Sequence, residues 1–195
     1  MAEFGLGAYL VARGVLSREK LGEALQAQVV YGGRLGTNLV ELGLLDLDQI
    51  AECLAAMSGF PLPPRGWVEA PDPKAIGLLP RELAERHCVL PLHLDGRSLH
   101  IAMLDPADAR LVGTLTRATN RHLQLYVLPE LRLLYALERH LGIARPVRFV
   151  NVAKKLERVR RQAAAEPDDR PEEIRLREAL VRSRFPLDDR PTRVA

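Results

Sequence analysis

Apolar residues recur in the same order twice near the start of the chain, with a constant offset of 29 residues between the copies. The first copy, 6–28, reads LGAYLVARGVLSREKLGEALQAQ, and the second, 35–57, reads LGTNLVELGLLDLDQIAECLAAM. Each copy has an apolar helical stretch that ends at a glycine, followed by a segment with apolar residues at i, i+4 and i+7. Repeats of this length are typical of a duplicated supersecondary unit with a shared apolar face. Each copy therefore predicts a short helix, a glycine turn and a longer helix.

The residues between the predicted helices favour capping. Gly14 and Gly43 stand at the ends of the short helices, where a left-handed cap carries no Cβ penalty. Ser17 and Asp46 follow three residues later and are good N-cap residues, and Asp46 has Gln49 in capping-box spacing. The pattern alone predicts a four-helix module in which the repeated residues form the core and the caps.

After a proline-rich stretch that is expected to lie on an apolar surface, with Trp67 in a packing role, the chain predicts a small α/β unit. Residues 89–94 and 97–104 alternate around an Asp-Gly turn, which is typical of a β-hairpin. A third strand, 123–128, is expected to follow a right-handed crossover and to pair parallel to the second strand. In this register Leu90, Leu92, Leu99 and Ile101 share one face of the sheet, whereas His93 and His100 share the other.

The helices of this unit are expected to begin where proline or an N-cap residue favours a helix start. These positions are Pro80, Asp105 followed by Pro106, and Pro129. We therefore predict an α+β protein with a three-stranded mixed sheet packed by helices. Its predicted parts are a duplicated helix-turn-helix repeat at 1–57, a linker at 58–75, an α/β subdomain at 76–142 and a flexible basic tail at 143–195.

Composition narrows the class of protein. Apolar residues make up 47% of the chain, which is enough for a core, yet no apolar run is long enough to span a bilayer. The first residues do not form a basic region followed by an apolar one, so no secretory signal is expected. Cys53 and Cys88 lie in different predicted elements and are expected to be reduced thiols. Together these features predict a cytoplasmic protein.

The positive charge is concentrated in the tail. Residues 145–195 contain 14 Lys and Arg against 9 Asp and Glu, whereas residues 1–144 contain 14 against 16. A basic helix is predicted at 151–165 and a second helix at 172–184. This tail is one route to nucleic acid or an anionic membrane, but it has few aromatic residues to stack on bases, so a nucleic-acid partner is not favoured.

The order of these features resembles the amino-terminal domain of bacterial type II secretion and type IV pilus assembly ATPases, the MshEN family. The resemblance covers about residues 4–142. It rests on four segments: LGxxLVxxG…LxxxLxxQ at 6–28, RLGxxLVxxG…IxxxLxxM at 34–57, LLPRELAERHCVLPL at 78–92 and LHIAMLDPAD at 99–108.

What the resemblance implies is a soluble module that precedes a hexameric traffic ATPase and docks onto membrane-platform proteins. In one branch of the family the doubled motif binds cyclic di-GMP, a two-fold symmetric ligand. There each half of the site uses the basic residue before Leu-Gly, the glycines, the flanking apolar residues and the final Gln. Matched onto this chain, the resemblance implies a candidate cyclic di-GMP site at Leu6, Gly7, Leu10, Val11, Gly14, Leu25, Gln28, Arg34, Leu35, Gly36, Leu39, Val40, Gly43 and Leu54.

The chain departs from that motif at two positions. Gly5 stands where the first copy should have a basic residue, and Met57 stands where the second should have Gln. Loss of a charged hydrogen-bond partner typically costs about 1.5–3 kcal/mol. Two interpretations follow. In the first, the repeat has a docking or structural role, and the partner is a secretion or pilus ATPase or a membrane-platform component. In the second, the chain is a sensor that binds cyclic di-GMP as its regulator.

Enzymatic chemistry is not expected. The sequence has no G-x-x-x-x-G-K-[ST] loop to hold a nucleoside triphosphate. His93 and His100 can approach each other across the hairpin, but no third metal ligand accompanies them. No nucleophile, base and orienting residue can be matched. The chain is therefore predicted to be a non-enzymatic regulatory or docking module without a catalytic or metal site.

Overall fold

The computed structural model describes residues 5–146 and Phe149. Within this part of the chain, eight helices and three strands follow one another. The elements are α1 (Leu6–Ala12), α2 (Arg18–Tyr31), α3 (Leu35–Glu41), α4 (Leu47–Ser58), α5 (Pro73–Ile76), α6 (Arg81–His87), β1 (Leu90–Asp95), β2 (Ser98–Met103), α7 (Ala109–Thr119), β3 (His122–Val127) and α8 (Glu130–Leu141).

The two copies of the repeat form the predicted helix-turn-helix units. Gly14 and Gly43 have the same positive φ of 68°, so both turns use the left-handed region that favours glycine. The Asp46 side chain and the Gln49 side chain form the predicted capping box at the start of α4. Ser17 likewise accepts a hydrogen bond from a backbone N–H in the first turn of α2. Local turn chemistry therefore places the end of the short helix and the start of the longer helix in each copy.

The repeats pack against each other with approximate two-fold symmetry. Helix α1 of the first copy contacts α4 of the second, and α3 of the second contacts α2 of the first. A Cβ atom at Gly7 would lie 3.1 Å from Leu35, and one at Gly36 would lie 3.5 Å from Leu6. The equivalent glycines thus allow α1 and α3 to approach each other closely.

The α/β unit has the predicted three-stranded mixed sheet in the order β1-β2-β3. Strands β1 and β2 are antiparallel, with an irregularity between Pro91 and His93, and β2 and β3 are parallel. The fully buried side chains of the hairpin include Leu90, Leu99 and Ile101.

The prediction for Leu90 is wrong: the irregularity pairs Leu90 with Ala102 rather than with Ile101, so Leu90 lies on the face that carries His100, whereas Leu99 and Ile101 share the other face. Both faces contribute to one apolar core with α8.

The start of α7 differs from the prediction. Asp105 was expected to be its N-cap, but the helix begins at Ala109 and its N-cap is Asp108. The Asp108 carboxylate accepts the backbone N–H groups of Arg110 and Leu111, both at 3.0 Å. Asp105 instead accepts the N–H of Ala107 in the preceding turn. Two aspartates three residues apart are both competent caps, and Asp108 occupies the position from which two amides are accessible.

The proline-rich segment lies on the face of the sheet that carries His93 and His100. The Trp67 ring stacks on His93 with centroids 4.7 Å apart and meets His100 edge-on at 4.9 Å. The carbonyl of Pro61 accepts the N–H of Val127 at 3.1 Å, which attaches the segment to β3. Trp67 thus has the packing role expected from the sequence, and α5 begins inside the range predicted as a linker.

The first residues assigned to the tail belong to the folded part. Ile143 is 5% exposed, and the Arg145 guanidinium lies 3.9 Å from the centroid of the Tyr135 ring and contacts Glu138. The prediction of a tail that begins at 143 is therefore wrong at its boundary, because the chain continues to pack on α8 after the helix ends. The helices predicted at 151–165 and 172–184 lie outside the described residues. Within the described part, no helix is long and apolar enough to cross a bilayer.

Candidate functional site

A cleft of about 260 Å³ lies where the second repeat meets the α/β unit. We call it the inter-unit cleft. Its wall from the helical repeat consists of Leu6, Gln28, Arg34, Leu35, Gly36, Thr37, Leu47, Ile50, Leu54 and Met57. Its wall from the α/β unit consists of Leu104, Leu128, Pro129, Glu130 and Leu131. The lining is mainly apolar with a few polar groups, which is typical of a ligand site, although the volume is just below the usual range.

Some of the residues implied by the motif come together in this cleft. They are Leu6, Gln28, Arg34, Leu35, Gly36 and Leu54. The set combines residues from both copies, because the short turn between α2 and α3 places the end of the first copy beside the start of the second. Both polar residues implied by the motif, Gln28 and Arg34, are among them.

The remaining motif residues lie elsewhere. Leu10 and Leu39 are completely buried, and Val40 is 2% exposed, so these side chains form the interior of the repeat. Gly7 is buried at the contact between α1 and α3, and Val11 is half-buried on α1. The other three are exposed: Gly14 and Gly43 in the turns and Leu25 on α2.

Gln28 and Arg34 flank a two-glycine turn between α2 and α3. Gly32 and Gly33 both have positive φ, 72° and 73°. The Gln28 amide donates a 2.8 Å hydrogen bond to the Gly33 carbonyl, so its N–H is engaged while its oxygen is available as an acceptor. Arg34 is exposed, and within the described residues its guanidinium forms no ion pair. The cleft therefore has one available cationic group at its rim.

Glu130, at the start of α8, is the residue of this site that the sequence did not reveal. Its Oε2 accepts the Thr37 hydroxyl at 2.7 Å and the Arg34 backbone N–H at 3.4 Å. Asn38, also buried, donates to the carbonyls of Gly32 and Arg34 and fixes the same turn. In the sequence, only the adjacent polar residues Thr37 and Asn38 within an apolar helix indicate such a contact. They predict a buried polar contact but do not identify its partner.

The Cys88 thiol lies close enough to the inter-unit cleft for the charges of Glu130 and Arg34 to change its pKa. Burial raises the pKa of the Cys88 thiol, Glu130 raises it further, and Arg34 lowers it. The thiol is therefore protonated at neutral pH and is a weak nucleophile. Both cysteines are free, as expected. The described residues contain no group of three or more His, Cys, Asp or Glu side chains suited to a metal ion.

A second feature is an exposed apolar surface at the C-terminal end of α2, which we call the α2 apolar surface. It consists of Leu25, Val29, Val30 and Tyr31, which are 45%, 87%, 71% and 68% exposed. Leu54 and Phe60 are the counterparts of Leu25 and Tyr31 in the second copy, and both are partly buried. The second copy thus partly covers two of the four positions, whereas Ser58 and Gly59 stand where the first copy has Val29 and Val30.

Comparison with known proteins places these features in a family. The model of the MshEN domain matches residues 59–147. The type IV pilus assembly ATPase PilB of Myxococcus xanthus is 32% identical over 69% of this chain, and that of Thermus thermophilus is 34% identical over the same share. The chain spans only 24% and 15% of the length of these two relatives.

A solved structure of MshE with cdg provides the structural comparison. It is 33% identical to this chain, with a TM-score of 0.55. The match covers 71% of this chain and 99% of the solved one, so it includes the helical repeat as well as the α/β unit.

Proposed function

This chain belongs to the MshEN domain family, and from this membership we propose that it is a non-enzymatic regulatory and docking module of a type IV pilus or type II secretion machine. Its partner is the ATPase of that machine or a component of the membrane platform. In this role the module acts in the cytoplasm. The relatives support this role, since the part they share with this chain is a small fraction of each pilus ATPase.

The observation that carries the docking role is the α2 apolar surface. Val29 and Val30 are 87% and 71% exposed at adjacent positions, which is unusual for a soluble helix with a packed neighbour. Leu54, the counterpart of Leu25 in the second copy, lines the inter-unit cleft against the α/β unit, whereas Ser58 and Gly59 replace Val29 and Val30 there. We therefore expect the partner to offer an apolar surface to the first copy.

The test is a binding measurement with the purified pilus or secretion ATPase of the same organism. Val29→Asp and Val30→Asp place a charge at the centre of the α2 apolar surface, and both positions are exposed enough to leave the fold intact. Gln26→Asp, on another exposed part of α2, is the matched control. Loss of binding in the valine variants alone supports docking through this surface, whereas equal binding by all three variants contradicts it.

A second candidate function is the binding of cyclic di-GMP at the inter-unit cleft. It is favoured by the meeting of Gln28 and Arg34, one from each copy, beside Leu35 and Leu54. An Arg guanidinium can hold phosphate in a bidentate fork or stack on guanine. The leucines can cover the faces of the bases. The relative MshE, solved with cdg, supports this candidate.

Calorimetric titration with cyclic di-GMP tests the sensor directly. Arg34→Ala should abolish binding, and Arg86→Ala, which changes an exposed arginine on α6, should not. Restoring the motif with Gly5→Arg and Met57→Gln should increase the affinity, roughly tenfold for each hydrogen-bonding group restored. If neither the natural chain nor the restored variant binds, the cleft is not a cyclic di-GMP site and docking remains as the function.

A further inference from the structure

Two arginines lie next to each other where β2 and β3 begin. This end of the two strands is opposite the end that meets the inter-unit cleft. In the parallel pair β2 and β3, Ser98 is opposite His122, so Arg97 and Arg121 each precede the first paired residue of their strand. Neighbouring strands lie about 4.8 Å apart. The N–H of His122 donates to the Arg97 carbonyl at 3.1 Å, so the backbones remain adjacent at this point. The two guanidinium groups therefore extend from neighbouring backbone positions.

These arginines and four other residues line a pocket of about 520 Å³, which we call the strand-start pocket. The other lining residues are Thr116, Thr119, Asn120 and His122. The inter-unit cleft includes Leu104 and Leu128, which follow the other ends of β2 and β3. The two sites share no residue and lie at opposite ends of the same strands.

Among the described residues, no carboxylate lines the strand-start pocket. Its lining contains no Asp or Glu, and in the described part of the chain neither Arg97 nor Arg121 forms an ion pair. Arg121 makes only a long hydrogen bond of 3.4 Å to the Gly96 carbonyl. Two guanidinium groups that extend from neighbouring strands repel each other unless an anion lies between them. The arrangement therefore favours a negatively charged ligand.

The remaining groups of the pocket add hydrogen-bond donors. Asn120 ends α7 in the left-handed region, with φ of 50°, which turns its backbone away from the helix and into the start of β3. Its amide group and the His122 imidazole are both able to donate to an oxyanion. The hydroxyls of Thr116 and Thr119 donate to helix carbonyls at 2.8 Å. Of the lining residues, the arginines, Asn120 and His122 therefore offer the donors for a ligand.

We propose that the strand-start pocket binds a phosphate-bearing ligand, held by Arg97 and Arg121. Paired guanidinium forks match the oxygens of a phosphate group, and charge-assisted hydrogen bonds of this kind are about twice as strong as neutral ones. The volume is within the 300–1,000 Å³ typical of small-molecule sites. The phosphate is supplied either by a soluble phosphorylated molecule or by an anionic lipid headgroup. This site is independent of the proposed docking and cyclic di-GMP functions.

The experiment is a titration of the full-length chain with pyrophosphate in phosphate-free buffer, followed by the backbone amide NMR signals of Asn120 and His122. This readout separates the pocket from the basic tail, which also attracts anions. The Arg97→Gln, Arg121→Gln double variant should lower the affinity at these signals at least tenfold. Arg110→Gln, at the other end of α7, is the control and should bind like the natural chain.

Vesicles that contain phosphatidylglycerol distinguish the two sources of phosphate. Co-sedimentation that the double variant loses and the control keeps assigns the pocket to a lipid headgroup, whereas saturable pyrophosphate binding without vesicle binding assigns it to a soluble ligand. The proposal is overturned if pyrophosphate leaves the Asn120 and His122 signals unchanged and vesicles bind the natural chain and the double variant equally.

Discussion

The Thr37 hydroxyl donates a 2.7 Å hydrogen bond to the Glu130 carboxylate, and this contact joins α3 of the second repeat to the first turn of α8. Thr37 is only 4% exposed, so its hydroxyl cannot turn to water instead. The first copy has Ala8 at the equivalent position, and it is exposed. Thr37 therefore gives the second copy a hydrogen bond to α8 that Ala8 cannot give the first copy.

The first prediction concerns this contact. Thr37→Val keeps the volume but removes the donor, and it should lower the free energy of unfolding by about 1–2 kcal/mol because the Glu130 carboxylate loses a partly buried partner. Chemical denaturation measures the change. Thr114→Val is the control, since its hydroxyl is exposed and bonds only to its own helix. Equal stability of the two variants would show that the Thr37 contact does not hold the units together.

Glu130 should also oppose an anionic ligand in the inter-unit cleft. Its carboxylate lines the same cleft as Arg34, so its negative charge acts on any anion bound there. Glu130→Gln keeps an acceptor for Thr37 but removes the charge, so cyclic di-GMP should bind several-fold more tightly than to the natural chain. Titration calorimetry at low salt and at high salt checks this, because the increase in affinity should shrink as salt screens the charges.

The helical glycines provide a third prediction about the repeat. A Cβ atom at Gly7 would lie 2.7 Å from Leu21 and 3.1 Å from Leu35, whereas one at Gly22 would meet nothing within 4 Å. Gly22→Ala should therefore stabilise the protein by about 0.5–1 kcal/mol through helix propensity. Gly7→Ala should lose that stabilisation to overpacking, so the two variants should differ by about 1–2 kcal/mol. Thermal unfolding of both variants measures the difference, and an identical shift would rule out close packing at Gly7.

The fourth prediction concerns pH. Burial lowers the pKa of His100, and the neighbouring His93 lowers it further, while Asp95 raises it. The folded state therefore binds this proton less readily than the unfolded chain does. The resulting stability is present above the unfolded pKa of about 6.5 and is lost as pH falls from that value through the lower pKa of the folded state. His100 also meets the Tyr126 hydroxyl at 2.9 Å and the edge of the Trp67 ring, so protonation should disturb the segment packed on the sheet.

Unfolding measured at pH 7.5 and pH 5.5 tests this prediction. The natural chain should lose more stability on acidification than His100→Gln, which cannot take up the proton. His122→Gln is the matched control, because it removes an exposed imidazole from another position of the sheet, away from Trp67. If His100→Gln loses as much stability on acidification as the natural chain does, groups other than His100 cause the pH dependence.

The sequence by itself determined the elements and their order. The repeat, with Gly14 and Gly43 in equivalent turns and the capping box of Asp46 and Gln49, specified four helices because caps and glycine turns act within a few residues. Alternation around the Asp95-Gly96 turn likewise specified the hairpin, but not the irregularity between Pro91 and His93 that moves Leu90 to the other face. The resemblance to the MshEN family followed from the same local motifs and is confirmed by the comparisons.

Tertiary structure decided which of those residues form sites. Leu10 and Leu39 match the motif as well as Leu35 and Leu54 do, yet the first pair is buried inside the repeat and the second pair is partly exposed. The contact of Glu130 with Thr37 spans 93 positions. The neighbouring positions of Arg97 and Arg121 depend on the register of the parallel strands β2 and β3. Such contacts leave no local pattern, because they arise only when packing of the apolar faces brings distant segments together.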